Sequence, residues 1–323
     1  MSIIESYREA FLKRLENFPE KQEPANLYAP MHYILQLGGK RIRPILTLMG
    51  ADIFGTDYQK AMYAALAVEV FHNFSLVHDD IMDKASLRRG QQTIHEKWDL
   101  NTAILSGDAM LIIAYQLFEN YEPTIFRELA QIFSKTALEV CEGQQHDMDF
   151  ETRNDVKPQE YLLMIKYKTA VLVGAALQMG AIVAKTSEEN KKRIYDFGVL
   201  LGMAFQLQDD YLDTFGDKDF GKRIGGDILE NKKTMLVLKA LENANAKQHQ
   251  QIMQLYTSKN TDETHKIALA TKLFKDTQSD VFLREEIKKY TFEAFTILEN
   301  LDIPQSKKEL LKKFGTDLMN RKI

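Results

Sequence analysis

The sequence predicts an all-α fold, a helical bundle in a single domain spanning residues 1–323. Apolar residues recur at helical spacing along most of the chain, and no stretch alternates convincingly enough to predict a strand or hairpin. No Ser/Pro-rich linker, internal repeat or low-complexity tract divides the chain. Hydrophobic residues make up 45% of its 323 residues, which is sufficient for one large core.

Turn and cap residues place the first helices. Pro30 interrupts the second helix, because proline cannot donate the hydrogen bond expected inside a helix. Gly38 and Gly39 end that helix, and Pro44 suits the first position of the next one. Asp57 is a suitable N-cap for a long apolar helix. The patterns up to this point predict helices over residues 2–18, 25–37 and 58–83.

The same kinds of signal place the later helices. Asp99 or Asn101 begins a helix that runs to about residue 119, and Ser187 caps one that ends near 213. Residues 158–186 form two helical pieces that meet near 166–169. A further helix covers 123–146, and beyond residue 233 helices alternate with polar turns at 244–247, 257–262 and 301–306.

The overall composition excludes several classes of protein. The net charge is −4, from 42 Lys and Arg against 46 Asp and Glu, which argues against general affinity for nucleic acid. A single cysteine, Cys141, excludes a disulfide framework within the chain and fits a reducing, cytoplasmic setting. The charged residues 1–14 do not form a signal peptide, and the longest uncharged run, 169–184, is short for a membrane span. We therefore expect no membrane span.

Two acidic clusters carry the strongest chemical signal, Asp79-Asp80-Ile81-Met82-Asp83 and Asp209-Asp210-Tyr211-Leu212-Asp213. At about 100° per residue, the first and last aspartates of each cluster lie about 40° apart on one helix face. These carboxylates repel each other unless a cation lies between them. Oxygen ligands without Cys or His pairs favour Mg²⁺, which shares its coordination shell with substrate phosphates. The sequence therefore predicts two such helices facing each other across a deep central cavity, where metal ions hold a diphosphate.

The helix faces that carry these clusters also carry small and polar side chains. His72 lies about 20° around the axis from the first aspartate. It could be a core histidine or an anion ligand, and its place on the metal face favours the second. Gln206 lies within about 60° of Asp209, and Gly198 and Gly202 continue that face. These glycines could leave room for a substrate or let another helix approach closely.

Basic residues cluster where helices break, beside glycine-rich turns. In a protein of negative net charge this placement indicates phosphate clamps, because Arg supplies two parallel donors and Lys a point charge. The segment 214–233, where the helical pattern breaks, is predicted to form a mobile lid that brings Lys222 and Lys232 over the site and excludes water. The other candidates are Lys40, Arg43, Arg88, Arg89 and Lys168, the last followed by Thr169.

Taken together, these motifs resemble those of the all-trans isoprenyl diphosphate synthases, of the short-chain type that makes geranylgeranyl or farnesyl diphosphate. The resemblance covers the chain from about residue 30 to 235, with the motifs in the family's order, whereas the C-terminal part adds little. The motifs are GGKRIRP at 38–44, HNFSLVHDDIMD and RRG within 72–90, KT at 168–169, FQLQDDYLD at 205–213, and GK at 221–222 followed by Lys232.

The resemblance implies the isoprenoid synthase fold, a homodimer, and a prenyltransferase that condenses isopentenyl diphosphate with allylic diphosphates. In the family the released pyrophosphate is thought to take the proton, so the carboxylates act as metal ligands rather than as a general acid–base pair. Three Mg²⁺ per active site would be bound by Asp79, Asp83 and Asp209, with Asp80, Asp210 and Asp213 supporting. The allylic diphosphate would be held by Arg88, Lys168 and Lys232, with Lys222 closing over it. Isopentenyl diphosphate would be held by Lys40, Arg43, His72 and Arg89, and the cation would be positioned by Thr169 and Gln206.

Product length is predicted from the helix before the first cluster, which would line the shaft for the growing chain. In the family, aromatic residues four or five positions before the first aspartate form the floor of that shaft. Here those positions hold Ser75 and Phe74, and Phe71 lies deeper. A floor at Phe71, with Phe74 at its edge, moves the limit by one helical turn of about 5.4 Å, close to one isoprene unit. We predict geranylgeranyl diphosphate (C20), with farnesyl diphosphate (C15) as the alternative.

Three other interpretations fit the sequence less well. A class I terpene cyclase shares the first cluster, but its second metal motif usually follows an Asn/Asp, Ser/Thr, Glu pattern, and this chain carries a clamp for a second diphosphate. A di-iron bundle needs two Glu-x-x-His motifs, and only Glu69-Val70-Phe71-His72 fits. A non-catalytic subunit of a prenyltransferase would be expected to lose one aspartate cluster, and neither is lost.

Overall fold

The structure is a computed structural model that describes residues 3–216, 224–257 and 262–320. It confirms the all-α prediction, because within these ranges a single short hairpin is the one departure from helices and their connections. The helices are α1 (Ile3–Leu15), α2 (Ala25–Gln36), α3 (Ile42–Asp52), α4 (Met62–Met82), α5 (Ile94–Lys97), α6 (Leu100–Leu117), α7 (Pro123–Thr152), α8 (Pro158–Ile165), α9 (Val171–Val183), α10 (Glu188–Phe215), α11 (Gly226–Leu229), α12 (Met235–Asn243), α13 (Ala246–Thr257), α14 (Glu263–Asp276), α15 (Ser279–Glu299) and α16 (Gln305–Met319).

Contacts between helices divide the chain into two compact units. The first contains residues 1–135 and 175–195, and in it α4 packs against α3 and α6. The second contains residues 136–174 and 196–323, and in it α12 packs against α8 and α15. That the two units form one domain around a central cavity stays a prediction.

Several predicted helix starts are confirmed. The side chain of Asp57 accepts a hydrogen bond from the backbone N–H two residues later at 3.0 Å, where a 3₁₀ turn leads into α4. Asp99 caps α6 through the N–H three residues later at 2.8 Å, and Ser187 caps α10 in the same way at 3.3 Å. The predicted junction near 166–169 is a π-turn, Lys166–Ala170, between α8 and α9.

The prediction that the chain contains no hairpin is wrong at one place. The strands β1 (Leu87–Arg88) and β2 (Gln91–Gln92) pair antiparallel across Arg89-Gly90. Both turn residues have positive φ, 54° and 76°, as the mirror-image turns of tight hairpins require. Strands of two residues are too short to give an alternating pattern, so the Arg-Gly turn is the one local signal.

Both predictions about proline positions are also wrong. Helix α2 runs through Pro30 without interruption, because the buried Met31, Ile34 and Leu35 on its later turns hold it in the core. Helix α3 begins at Ile42, so Pro44 occupies its third position rather than its first. Proline is tolerated at the third position for the same reason as at the first, since the N–H groups of the first turn have no partner within the helix.

Two glycines allow α3 and α9 to touch backbone to backbone. A Cβ atom on Gly50 would lie 2.4 Å from the carbonyl oxygen of Leu177, and one on Gly180 would lie 2.2 Å from that of Thr47. Any larger residue at either position would push the helices apart. This crossing anchors α3, whose first turn carries Arg43.

Among the residues that the structure describes, two stretches are long and apolar enough to cross a bilayer, judged by length and composition alone. The core helices of water-soluble proteins pass the same test. In Pro158–Val183, 61% of the apolar window is buried inside the protein, as expected of a core segment. In Leu100–Asn120 the buried share is 33%, which leaves an apolar face of α6 exposed.

Candidate functional site

The first acidic cluster lies at the C-terminal end of α4. Asp79 and Asp83 are one turn apart, and the Asp83 N–H donates to the Asp79 carbonyl at 2.8 Å. Asp80 points elsewhere: it is 2% exposed and accepts hydrogen bonds from Arg88 Nε at 2.8 Å and Nη2 at 2.6 Å. This is the bidentate geometry that makes Arg–carboxylate pairs strong. Asp80 therefore fixes Arg88 on the hairpin beside the other two aspartates.

A basic pocket forms where the loop between α2 and α3 meets α4 and the hairpin. Arg43 Nη1 lies 3.2 Å from His72 Nε2, and Arg89 donates to the carbonyl of Gly38. Gly39 has a φ of 118°, a conformation that favours glycine, and a Cβ atom there would also lie 2.8 Å from the Arg89 guanidinium. Of the predicted isopentenyl-diphosphate ligands, these three lie together, and Lys40 lies on the same loop with an exposed side chain.

The His72 ring is neutral. Burial lowers its pKa well below 6.5, and the surrounding Arg43, Arg89, Arg88 and Arg41 lower it further. A guanidinium has no acceptor, so Nε2 accepts from Arg43 and the ring proton lies on Nδ1. The pKa of Arg43 is lowered to about 10, chiefly by burial, so this guanidinium stays charged at neutral pH. The pocket therefore concentrates positive charge around one neutral imidazole.

The second acidic cluster, on α10, repeats the pattern of the first. Asp210 is 3% exposed and accepts hydrogen bonds from Tyr161 Oη and from Gln206 Nε2, the latter at 3.0 Å. Thr169 Oγ1 in turn donates to Gln206 Oε1 at 3.2 Å. The order Tyr161–Asp210–Gln206–Thr169 therefore joins two predicted cation-positioning residues to one buried carboxylate. Burial, followed by the charge of Asp227, raises the pKa of Asp210 well above its usual range.

The π-turn carries Lys168, another residue of this unit that the sequence predicts in the site. Lys168 Nζ donates to Asp147 Oδ2 at 2.5 Å, and a Cβ atom on Gly143 would lie 2.2 Å from the Lys168 backbone nitrogen. Helix α7 therefore lies directly against the turn. The neighbouring Gln144 is 6% exposed, and neither of its amide atoms has a hydrogen-bond partner among the residues that the structure describes. Gly202 has Ala170 packed on it, which confirms close helix approach there.

The segment after α10 carries Lys232 but lies only partly within the described residues. Asp213 Oδ2 accepts the Asp227 N–H at 3.1 Å, which ties α10 to the start of α11. Lys232 Nζ lies 3.0 Å from Glu230 and 3.9 Å from Asp227. Burial lowers the pKa of Lys232, but these two carboxylates outweigh it, and the pKa is raised overall. Lys222 and the middle of the predicted lid lie outside the described residues.

The predicted floor residues lie in an aromatic cluster of the first unit. Phe71 is 1% exposed, and its ring centroid lies 5.1 Å from that of Phe133 and 5.5 Å from that of Phe74. Phe74 is half-buried, and its ring meets that of His78 edge to face, with the ring centroids 4.8 Å apart. The Ser75 hydroxyl donates back to the His72 carbonyl at 2.9 Å. Phe71 is therefore core, whereas Phe74 keeps accessible surface.

No group of three or more His, Cys, Asp or Glu side chains converges as a metal site within the described ranges. A Mg²⁺ site does not need one, because Mg²⁺ is usually held by one or two carboxylates plus waters and substrate phosphates. The pairs Asp79 with Asp83 and Asp209 with Asp213 supply donors of that kind. The residue types fit Mg²⁺ on this ground.

Several residues that hold the predicted ones were not predicted. Except for Asp227 and Lys232, which are five positions apart, the partners lie more than 20 positions away along the chain, so no local spacing indicated them. The one partial signal was the Glu-x-x-His match, whose Glu69 proves to be buried at 2% exposure three residues before His72. The missed residues are Arg41, Glu69, Asp147, Tyr161 and Asp227.

Proteins similar to this chain are known. The model of a family described as polyprenyl synthetase matches residues 24–274. A geranylgeranyl pyrophosphate synthase from Geoglobus acetivorans is 40% identical over 243 residues, 74% of this chain and 76% of that protein. The crystal structure of a geranylgeranyl pyrophosphate synthase, 52% identical, superposes with a TM-score of 0.96 over 100% of both chains. A polyprenyl synthase from Caulobacter crescentus CB15, crystallised with calcium and isoprenyl diphosphate, is 26% identical, with a TM-score of 0.88 over 99% of this chain and 96% of that one.

Substituting Tyr161→Phe tests whether the buried hydroxyl matters for the site. The substitution takes one hydrogen-bond partner from the buried Asp210 carboxyl, which costs about 1–3 kcal/mol, so we expect about a tenfold loss of turnover with isopentenyl and allylic diphosphates. Tyr115→Phe is the matched control, because within the described ranges its hydroxyl bonds Ser134, at 2.8 Å, and no predicted site residue. Steady-state rates equal to the unmodified protein in both variants would contradict a role for Tyr161.

Proposed function

The chain belongs to the polyprenyl synthetase family, and we propose that it condenses isopentenyl diphosphate with allylic diphosphates to make geranylgeranyl diphosphate (C20). The family's activity makes it a prenyltransferase, and its all-α architecture is the isoprenoid synthase fold of the similar structures. The full-length match at 52% identity to a geranylgeranyl pyrophosphate synthase carries the choice of product.

The basic pocket of the first unit is proposed to hold isopentenyl diphosphate. Its members Arg43, His72 and Arg89 are in contact with one another or with the same loop, and Lys40 extends from that loop into solvent. Fixed cations bind a diphosphate more effectively than mobile ones, because less side-chain entropy is lost. A neutral His72 can donate from Nδ1 to a phosphate oxygen.

The allylic diphosphate is proposed to bind Arg88, Lys168 and Lys232, with Lys222 closing over it. Each of the first three is paired with a carboxylate, respectively Asp80, Asp147 and Asp227. Such pairs keep the cations in place and charged before the substrate arrives. The lid role of 214–233 stays part of this proposal.

Three Mg²⁺ ions are proposed at Asp79, Asp83 and Asp209, where they would neutralise the charge of a departing diphosphate. The similar polyprenyl synthase from Caulobacter crescentus was crystallised with calcium and isoprenyl diphosphate, which supports a divalent cation here. The buried Asp80 and Asp210 are proposed to support this site from behind, through Arg88 and Gln206.

The reaction proposed for this site begins when the C–O bond of the allylic diphosphate breaks and leaves an allylic cation. Arg88 and Lys168 stabilise the negative charge that builds on the leaving diphosphate. The double bond of isopentenyl diphosphate then forms the new C–C bond, and the proton lost from that unit goes to the released pyrophosphate. Thr169 and Gln206, which are hydrogen-bonded to each other, would hold dipoles beside the cation.

Product length is proposed to depend on the aromatic cluster below Asp79. Phe74 presents the accessible ring, and Phe71 behind it is buried against Phe133. Replacing Phe74 would therefore open space at the floor, and replacing Phe71 would deepen it further.

A homodimer is proposed from the exposed apolar face of α6. Leu105 is 61% exposed and Ile112, two turns later on the same face, is 58% exposed. Ile104 is a further exposed apolar residue of α6, about 100° around the axis from Leu105, and exposed apolar surface of this kind marks an interface. A second copy of the chain would cover it.

The lone exposed cysteine supports the cytoplasmic setting that the sequence predicts.

The function is tested by incubating purified protein with isopentenyl diphosphate, labelled dimethylallyl or farnesyl diphosphate, and Mg²⁺. We expect geranylgeranyl diphosphate as the main product by chromatography, and no product when a chelator is present. Farnesyl diphosphate as the end product would favour the alternative, and a released hydrocarbon would indicate a cyclase. Full transfer with the metal chelated would refute the proposal.

Phe74→Ala and Phe71→Ala are expected to shift the product beyond C20 by one isoprene unit or more, because each removes part of the floor. Phe71→Ala also leaves a core cavity, which costs about 3–5 kcal/mol of stability, so its thermal midpoint is measured alongside. Phe126→Ala, at a 37% exposed position on α7, is the control and should keep the C20 product. Unchanged product length in both test variants would remove the floor.

The double substitution Leu105→Glu and Ile112→Glu is expected to convert the dimer to a monomer, because two charges would be buried in the interface. Light scattering after size-exclusion chromatography gives the mass. Phe292→Glu, at a 73% exposed position on α15, should leave the dimer intact. A monomeric unmodified protein would contradict the proposed interface.

A further inference from the structure

We propose that Arg41 and Glu69 form a positioning pair that sets the affinity for isopentenyl diphosphate. Neither residue is among the diphosphate ligands predicted from the sequence. The inference rests on the proposed function, because it concerns the basic pocket assigned to that substrate. Its own basis is a buried ion pair beneath the loop that carries Lys40 and leads into the first turn of α3, where Arg43 lies.

Both members of the pair are buried and hydrogen-bonded. Arg41 is 5% exposed and Glu69 is 2% exposed. Arg41 Nη1 donates to Glu69 Oε1, and Nη2 donates to the carbonyl of Leu35 near the end of α2. Asn73 Nδ2 adds a hydrogen bond to the same Glu69 oxygen at 3.1 Å. A buried ion pair is usually no more stabilising than apolar residues of the same size, so stability alone does not account for it.

The backbone above the pair is held in a conformation that needs support. Gly38, Gly39 and Arg41 all have positive φ, at 84°, 118° and 51°. Arg41 is not a glycine, so this conformation costs energy and persists where surrounding contacts impose it. Its side chain provides those contacts, because it joins the end of α2 to the middle of α4. The loop is thereby fixed with Lys40 just before Arg41.

Two side chains of α4, one turn apart, contact Arg41 and Arg43. Glu69 and His72 are three residues apart and so lie on one face of α4. Glu69 receives Arg41, and His72 receives Arg43 at 3.2 Å. The two contacts set the register of the loop on the helix, and with it the place of the Arg43 guanidinium.

Glu69 also balances charge beneath the pocket. Burial lowers the pKa of Arg43, Arg89 lowers it further, and the carboxylate of Glu69 opposes both. Burial lowers the pKa of Arg89, Arg41 lowers it further, and Glu69 raises it. One buried carboxylate thus allows three guanidinium groups to lie close together before an anion is bound.

The pair is expected to act on one substrate rather than both. Its contacts lead to Lys40, Arg43 and His72, whereas Arg88 is held separately by Asp80. The Michaelis constant for isopentenyl diphosphate should therefore respond to the pair. The constant for the allylic diphosphate should not.

The test uses Glu69→Gln and the conservative Arg41→Lys in the full-length protein. For Glu69→Gln we expect the KM for isopentenyl diphosphate to rise about tenfold or more, with kcat and the allylic KM changed by less than about threefold. Arg41→Lys keeps the charge but has one donor nitrogen instead of two, so we expect an intermediate rise of the KM for isopentenyl diphosphate. Lys191→Met is the matched control, because Lys191 is also buried at 5% exposure and paired with Glu128, away from the pocket.

The double variant Arg41→Met with Glu69→Leu separates positioning from folding. Matched apolar residues should restore the thermal midpoint, while the KM for isopentenyl diphosphate stays raised. Recovery of both the thermal midpoint and the KM for isopentenyl diphosphate would overturn the inference. Equal rises in the KM values for isopentenyl and allylic diphosphates would overturn it as well. Calorimetric binding of isopentenyl diphosphate, expected to weaken about tenfold in Glu69→Gln, decides the role of the pair without turnover. An unmodified protein that binds this ligand but makes no prenyl product would refute the proposed function alone.

Discussion

A carboxylate that is removed from water has to be paired, and this constraint organises both acidic clusters. Asp80 is paired with Arg88, and Asp210 is paired with Tyr161 and Gln206. Successive residues of a helix point about 100° apart, so turning the second aspartate inward leaves the first and last on a common outer face. The DDxxD spacing therefore combines two jobs in one turn of helix. One aspartate fixes a neighbouring side chain, and we propose that the other two bind a cation.

The basic groups follow the same logic with the sign of the charge reversed. Guanidinium and ammonium groups are long and flexible, and a site that needs them in fixed places has to hold them. Arg88 and Lys168 are each held by a carboxylate. Arg43 is held by a histidine that its own surroundings keep neutral. Their positive charge is therefore fixed in place before any ligand arrives, and for the diphosphate that we propose here such preorganisation lowers the cost of binding.

Sequence reasoning predicted the helices well because their signals are local. Apolar periodicity and caps at Asp57, Asp99 and Ser187 depend on residues within one turn, and the structure confirms them. The hairpin was missed because two paired residues a side make no pattern. Pro30 was judged on its missing donor alone, although the tertiary packing of α2 outweighs that loss.

The sequence predicts candidate ligands for the site, but not the residues that support them. Metal and phosphate ligands recur as short motifs with fixed spacing, whereas a support is defined by where the fold brings two distant segments. Tyr161 reaches Asp210 across 49 positions of sequence, and Arg41 reaches Glu69 across 28. No spacing rule covers such separations. The relative placement of the two acidic clusters depends on the same long-range packing and could not be read from local pattern either.

The π-turn at Lys166–Ala170 makes the length of one stretch of chain functionally significant. Such a turn contains one residue more than the α-helical loop it replaces. Deleting a single residue there would remove the wider turn and let α8 and α9 merge into one regular helix, because the π-turn is what accommodates the extra residue. The side chains within the turn would shift, so that Thr169 would leave Gln206 and Lys168 would leave Asp147. Between most helices a lost residue is absorbed by the connection, but here the residue count sets which side chains these partners meet.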